Sequence, residues 1–210
     1  MNITILGAGN MGSALTKQLT RAGHTVRITA RDLKKAQAVA ANNPGAEAFP
    51  ASEILAGSNV VILATGYADA VPALRSLGSL AGKVVIDVTN PLTPDYMGLT
   101  VGFTTSAAEE IAKAVPGAEV VKGFNTLFAQ VLAEGSDLGA GKKASVFLAS
   151  DSARAKQIAR ALAESMGFEI IDAGGLKNAR YLEPLGGLNV FLGYGAGMGT
   201  AIAPAWLRAA

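Results

Sequence analysis

Gly7-Ala8-Gly9-Asn10-Met11-Gly12 is a G-x-G-x-x-G that follows the apolar run 2–6 and opens an alanine-rich amphipathic stretch. In that strand-to-helix context three glycines make a phosphate cradle. Gly7 permits the tight turn, Gly9 lets the backbone approach a pyrophosphate, and Gly12 permits close helix packing, while the helix start adds free amides and a positive dipole. The next informative position is the end of the second apolar run, where NAD-selective sites carry an acid for the ribose hydroxyls. Here the chain reads Thr29-Ala30-Arg31-Asp32, with Lys34 and Lys35 close behind. A guanidinium and an ammonium at that place suit a 2′-phosphate, so NADP(H) is the expected cofactor and Asp32 is left as a helix cap.

Three further run ends carry polar groups: Ala64-Thr65-Gly66-Tyr67, Asp87-Val88-Thr89-Asn90-Pro91 and Lys122-Gly123-Phe124-Asn125-Thr126. Ligands of open α/β sheets bind outside the carboxyl ends of the strands. Thr65 and Asn90 can bond ribose or carboxamide, Tyr67 can wall a ring, and Asn125 is expected near the nicotinamide. Turn chemistry at Asn90-Pro91, and helix capping by Asn125 or Thr126, are the alternatives.

Positioning these groups requires an alternation of strands and helices. Short β-branched runs at 2–6, 25–29, 60–64, 84–87, 119–123, 144–148 and 168–172 alternate with amphipathic stretches at 10–22, 32–42, 68–77, 107–115 and 152–166. That order predicts an α/β fold, a Rossmann-type doubly wound and mainly parallel sheet. Asp151-Ser152 is a plausible start for the last of these helices and Gly167 a plausible stop. Beyond Asp172 the composition changes to Gly174-Gly175, a short helix over 176–183, Pro184 and a glycine-rich tail. The expected division is a dinucleotide-binding domain over 1–173 and a small C-terminal helical lobe over 174–210.

Half of the 210 residues are hydrophobic and 16% are charged, enough apolar material for one sizeable core. A net charge of +2 without a basic run argues against nucleic acid as a partner. There is no cysteine, which removes disulfides, thiolate metal sites and cysteine nucleophiles together. His24 is the single histidine and precedes the second strand, so histidine-dependent dehydrogenases, serine triads and histidine-rich metal sites lose their central residue. The N-terminal residues show no export signal, and the chain is expected to be cytoplasmic. Residues 185–207 are uncharged and long enough to span a bilayer, but six glycines and Pro204 favour packing against protein or cofactor. That apolar tail also predicts a homodimer, with Gly197, Met198 and Gly199 as pocket or interface candidates.

Taken together, Gly7 to Gly12, Ala30-Arg31-Asp32 with Lys35, Asn90-Pro91-Leu92, Lys122-Gly123-Phe124-Asn125-Thr126, Ala179-Arg180-Tyr181-Leu182-Glu183-Pro184-Leu185 and Gly197-Met198-Gly199 resemble the NADPH-dependent coenzyme F420 reductase family. The resemblance covers nearly the whole chain. It implies hydride transfer between stacked nicotinamide and deazaflavin rings, with NADP held by Ala8 to Met11, Ala30, Arg31 and Lys35. Ala30 replaces a serine common in the family, with Thr29 beside it to supply a hydroxyl, and Asn125 stands where archaeal members tend to have histidine. The Phe-Asn-Thr version also resembles the reductase domain of membrane metalloreductases, so the second redox molecule is expected to be a deazaflavin (coenzyme F420) or a flavin. Imine and pyrroline-carboxylate reductases share the Ala8 to Gly12 opening but carry a longer helical domain. A non-catalytic NADP(H) redox sensor is the remaining alternative.

Overall fold

A computed structural model describes residues 1–206. Six strands, β1 (Asn2–Leu6), β2 (Thr25–Thr29), β3 (Ala46–Ala48), β4 (Val60–Leu63), β5 (Val84–Asp87) and β6 (Glu119–Lys122), form one sheet in the order β3-β2-β1-β4-β5-β6. All five pairings are parallel. β7 (Ser145–Leu148) and β8 (Glu169–Asp172) make a separate parallel pair, tied to β6 by an antiparallel bridge between Lys122 and Ala149.

Both sides of the large sheet are covered, which is why β4 and β5 read Val-Val-Ile-Leu and Val-Val-Ile-Asp without alternation. On one face Ile3, Ile5, Ile28, Ile62 and Ile86 share a core with α1 (Asn10–Arg21), α2 (Leu33–Ala41), α5 (Ala129–Glu134) and α6 (Ala153–Ser165). On the other, Leu6, Val61, Leu63, Val85 and Val120 pack against α3 (Tyr67–Ser76), α4 (Ala107–Ala114) and the start of α7 (Ala179–Val190). Helix ends follow local chemistry. Asp32 caps α2 through the Lys34 amide, Ser152 caps α6 through the Ala155 amide, and Gly167 leaves α6 at φ +84°.

Three elements differ from expectation. β3 and α5 were not foreseen, and the helix predicted over 176–183 is a 3₁₀ turn (Leu176–Asn178) followed by α7, which runs through Pro184 to Val190. Proline removes one intrahelical donor, yet its ring lies on the exposed side and the helix is anchored on both sides of it. Before it, Glu183 accepts the Ala107 and Ala108 amides; after it, Asn189 donates to the Thr126 carbonyl at 3.1 Å. A π-helical turn (Phe191–Gly195) then closes the helix. Gly197, Met198 and Gly199 are exposed and lie outside any helix, held by backbone bonds from Met198 and Gly199 to Leu192 and Gly193. Among the described residues no helix is long and apolar enough to cross a membrane; the final residue of the uncharged stretch, Leu207, lies outside them.

Candidate functional site

Strand register brings the candidate residues to one edge. Leu6 pairs with Thr29 and with Leu63, Leu63 with Asp87, and Asp87 with Lys122, so five strands end in a single row. Immediately beyond that row stand Gly7, Ala30, Ala64, Val88 and Gly123 in their respective chains. The loop after β1 therefore lies between the Ala30-Arg31 turn and the Ala64-Thr65 turn. His24 sits at the opposite end of the sheet, with Nε2 2.9 Å from Ser165 Oγ.

The glycine loop is sterically exacting at two positions and open at one. Gly7 has φ +120°, and a Cβ there would lie 2.4 Å from the Ala64 carbonyl oxygen; a Cβ on Gly12 would lie 1.9 Å from the Gly7 carbonyl oxygen. A Cβ on Gly9 would meet nothing within 4 Å. The α1 N-terminus that follows has no side-chain cap and no acid in its first turn, so its leading amides face this open space without an internal partner. A negatively charged group fits there on both steric and electrostatic grounds.

At the second strand end, Arg31 is exposed and its guanidinium lies 3.6 Å from Asp69 in the first turn of α3. Lys34 and Lys35 are exposed beside it, and Ala30 is half-buried. Thr29 corrects the expectation of a hydroxyl contact. Only 1% of it is exposed, it lies beneath the loop, and its carbonyl accepts the Gly7 amide at 2.8 Å. Thr65 is half-buried and donates to the Gly66 carbonyl at 3.0 Å. Tyr67 packs against the α3 and α4 side of the core; partial burial, with the carboxylates of Glu110, Glu183 and Asp87 nearby, raises its pKa, so the phenol keeps its proton.

Asn90 and Asn125 form a reciprocal clasp. Asn90 Nδ2 donates to the Asn125 carbonyl at 2.7 Å, and Asn125 Nδ2 donates to Asn90 Oδ1 at 2.8 Å and to the Leu182 carbonyl at 2.9 Å. Both N–H groups of Asn125 are committed, and Pro91 and Asn125 are buried. Gly186 of α7 lies directly over the clasp, because a Cβ there would come within 2.8–2.9 Å of Asn90 and the Asn125 carbonyl. Among the described residues Thr89 Oγ1, Asn125 Oδ1 and Thr126 Oγ1 are buried and find no hydrogen-bond partner.

Beneath the clasp lies a cluster that the run-end reading passed over. Lys122 is fully buried; its ammonium donates to Asp87 Oδ2 at 2.9 Å and to the Thr89 carbonyl at 2.5 Å, and it forms an ion pair with Glu183 Oε1 at 2.9 Å. Asp87 in turn accepts the Thr89 amide at 2.8 Å, and Glu183 accepts the first two amides of α4. The ammonium sits between two carboxylates and a carbonyl, and the second negative charge is set against the α4 dipole. The cluster fixes the backbone at Thr89, hence the placement of Asn90. A signal existed in the sequence, since Lys122 and Asp87 both end apolar runs.

A second ion pair joins the same helices nearer the surface: Arg180 donates to both oxygens of Glu109, at 2.8 and 2.7 Å. The Arg180 bonds, helped by Ser106 and Lys113 and opposed by burial, hold the Glu109 carboxyl below its ordinary range. A carboxyl with a depressed folded pKa contributes stability that is complete above its unfolded value and is lost as pH falls through the folded one. Arg180→Ala should therefore destabilise the protein at neutral pH, and the deficit should shrink as pH falls through the depressed folded pKa of Glu109. Urea unfolding of both proteins at neutral pH and in acid checks this.

A groove of about 870 Å³ runs along the outer side of α1 from Asn10 and Ser13 past Lys17, with Phe128 and Tyr194 among its walls. Those two rings meet edge to face with centroids 5.5 Å apart.

Known proteins resemble this chain over most of its length. The family described as NADP oxidoreductase, coenzyme F420-dependent, matches residues 2–91. The F420-dependent NADP reductase of Methanothermobacter marburgensis is 31% identical over 202 residues, covering 88% of this chain and 89% of that protein. Metalloreductase STEAP3 of Rattus norvegicus is 30% identical over 184 residues, but the chain spans only 36% of its length. Among solved structures, a candidate F420-dependent NADP reductase from Arthrobacter sp. FB24 superposes with a TM-score of 0.87 at 30% identity, over 98% of this chain and 99% of that one. An imine reductase from a Pseudomonas species reaches 0.68 at 20% identity over 93% of this chain and 63% of its own, a likeness of fold alone. The chain belongs to the family of coenzyme F420-dependent NADP oxidoreductases.

Proposed function

We propose that the chain binds NADP(H) along the carboxyl edge of the sheet and exchanges hydride between its nicotinamide and a second bound redox molecule, a deazaflavin such as coenzyme F420 or a flavin. The observation that carries this is the open α1 N-terminus beneath Gly9, flanked by Arg31 where an NAD site would place an acid. Residues Gly7, Ala8, Gly9, Asn10, Met11 and Gly12 would hold the pyrophosphate through backbone amides. Arg31 and Lys35, with Ala30 making room, would hold the 2′-phosphate. Thr65 and Tyr67 would border the cofactor along the carboxyl edge, and Asn90, Pro91 and Asn125 would act as the rigid floor of its nicotinamide end.

Bound NADPH supplies a hydride from its nicotinamide ring. The chain's own contribution is orientation, which can by itself supply a large part of a barrier reduction when two rings are held in contact. Gly186 lets α7 close down on the Asn90–Asn125 clasp, and the Lys122 cluster keeps that floor from moving. The edge-to-face pair Phe128–Tyr194, at the Asn10 end of the α1 groove, offers an apolar wall for the second ring. The exposed apolar residues Tyr181, Leu188 and Phe191 of α7 and the turn after it suggest a face covered by a second copy of the chain; a one-chain mass in solution would remove that part.

The deciding experiment follows NADPH and NADH oxidation with coenzyme F420, FMN, FAD, a ferric chelate and an imine offered separately. Turnover with F420 or a flavin supports the proposal, turnover with the imine alone overturns it, and tight NADPH binding without turnover points to a sensor. Arg31→Ala should weaken NADPH binding by about 1.5–3 kcal/mol, the worth of a charge-assisted bond, and leave NADH nearly unchanged. Fluorescence titration of both nucleotides checks it.

A further inference from the structure

The groups around Arg31 are not uniformly basic. Arg31 Nη1 lies 3.6 Å from Asp69 Oδ1, with the side chains 88% and 55% exposed. The two residues come from opposite sides of the glycine loop, Arg31 just past β2 and Asp69 in the first turn of α3 after β4, while β2 and β4 flank β1. The pair therefore bridges the mouth of the adenosine end of the edge. Asp32, the acid adjacent in sequence, is turned to another task, since it accepts the Lys34 amide at the start of α2. Among the described residues Asp69 is the one carboxylate within ion-pair distance of Arg31, and Lys34 and Lys35 have none.

We infer that Asp69 is a specificity-determining residue that competes with the coenzyme's 2′-phosphate for Arg31 and so narrows the preference for NADPH over NADH. This rests on the placement of the 2′-phosphate at Arg31. A phosphate arriving there must share the guanidinium with Asp69 and lies close to a like charge, a loss of affinity for the phosphorylated coenzyme alone. With NADH no phosphate arrives, and the Arg31–Asp69 pair stays intact. Among the described residues the Asp69 carboxylate has the Arg31 ion pair and no side-chain hydrogen bond, so it can accept a ribose hydroxyl, the task an acid after β2 performs in NAD sites. One position thus carries a group for each coenzyme, on opposite sides of one opening.

The test is the D69N variant of the full chain, titrated with NADPH and with NADH at low ionic strength. Removing one exposed charge beside a phosphate should tighten NADPH binding by roughly two- to fivefold and leave NADH unchanged or weaker. The NADPH gain should fade in high salt, because the repulsion it removes is screened. Unchanged NADPH affinity, or equal tightening of both coenzymes, overturns the inference. Arg31→Ala separates the two levels. If that variant binds NADPH as tightly as the parent, the phosphate placement itself has failed; if it binds weakly while D69N leaves the NADPH-to-NADH ratio unmoved, only the role of Asp69 has failed.

Discussion

Lys122→Met is expected to lower the unfolding free energy by about 3–5 kcal/mol, more than any other single side-chain change at the carboxyl edge. Methionine fills much of the same volume, so the loss comes from charge rather than from a cavity. Without the ammonium, Asp87 and Glu183 become two buried carboxylates with no cation between them, and the Thr89 carbonyl loses its donor. One of the acids must take up a proton. Stability of the variant should therefore recover as pH is lowered toward the carboxyl range, opposite to the behaviour of the parent in acid. Chemical denaturation of parent and variant at neutral and mildly acidic pH tests both the size and the sign. A loss below about 1 kcal/mol at neutral pH would mean that the cluster is solvated and not a buried support.

Gly12→Ala is the second large effect, and its origin is steric. The added methyl would sit 1.9 Å from the Gly7 carbonyl oxygen, a backbone atom that no rotamer change can move. Either α1 shifts away from the end of β1 or the Gly7 turn opens. Such overpacking costs about 1–3 kcal/mol of stability, and displacing the leading amides of α1 should weaken NADPH binding at least about tenfold through one lost charge-assisted bond. Gly9→Ala is the matching control. Space around Gly9 is open, so its methyl should leave the melting temperature unchanged while it occupies the space proposed for the pyrophosphate. Calorimetric melting with NADPH titration of both variants separates support of the loop from contact with the ligand.

The glycine loop and Arg31 were legible because their chemistry is local. A strand, three glycines and a helix within 20 residues leave little freedom, and the end of β2 is fixed relative to β1 by one short helix. The Val- and Ile-rich strands were legible for the same reason, as fully buried runs. β3, by contrast, reads Ala-Glu-Ala at the sheet's edge, with no β-branched residue to mark it. α5 has six residues and no cap, too short to show a helical period. α7 was cut short at Pro184 because the anchors that carry it past the proline, Lys122 and Thr126, lie some 60 residues away in sequence. Lys122 itself was hidden in a similar manner. A lysine at a strand end looks solvated until both of its acids are brought to it by other elements. The placement of Asn125 under Gly186, rather than freely beside a ligand, likewise depends on a helix that local pattern could not extend.

Glu183 closes the first turn of α4 across 75 and 76 residues of chain, while the Lys122–Asp87 contact spans only 35. A ribosome makes the chain from its N-terminus at about 5–20 residues per second, so Lys122 and Asp87 are both available before Glu183 has been made. A nascent chain that has reached β6 can already neutralise Asp87 with Lys122, a self-contained pair. α4 stays loose at its leading end until residue 183 arrives and α7 docks. α7 and the leading end of α4 complete one another, and a chain clipped before residue 183 would leave two α4 amides and the Lys122 ammonium without the carboxylate that ties them together.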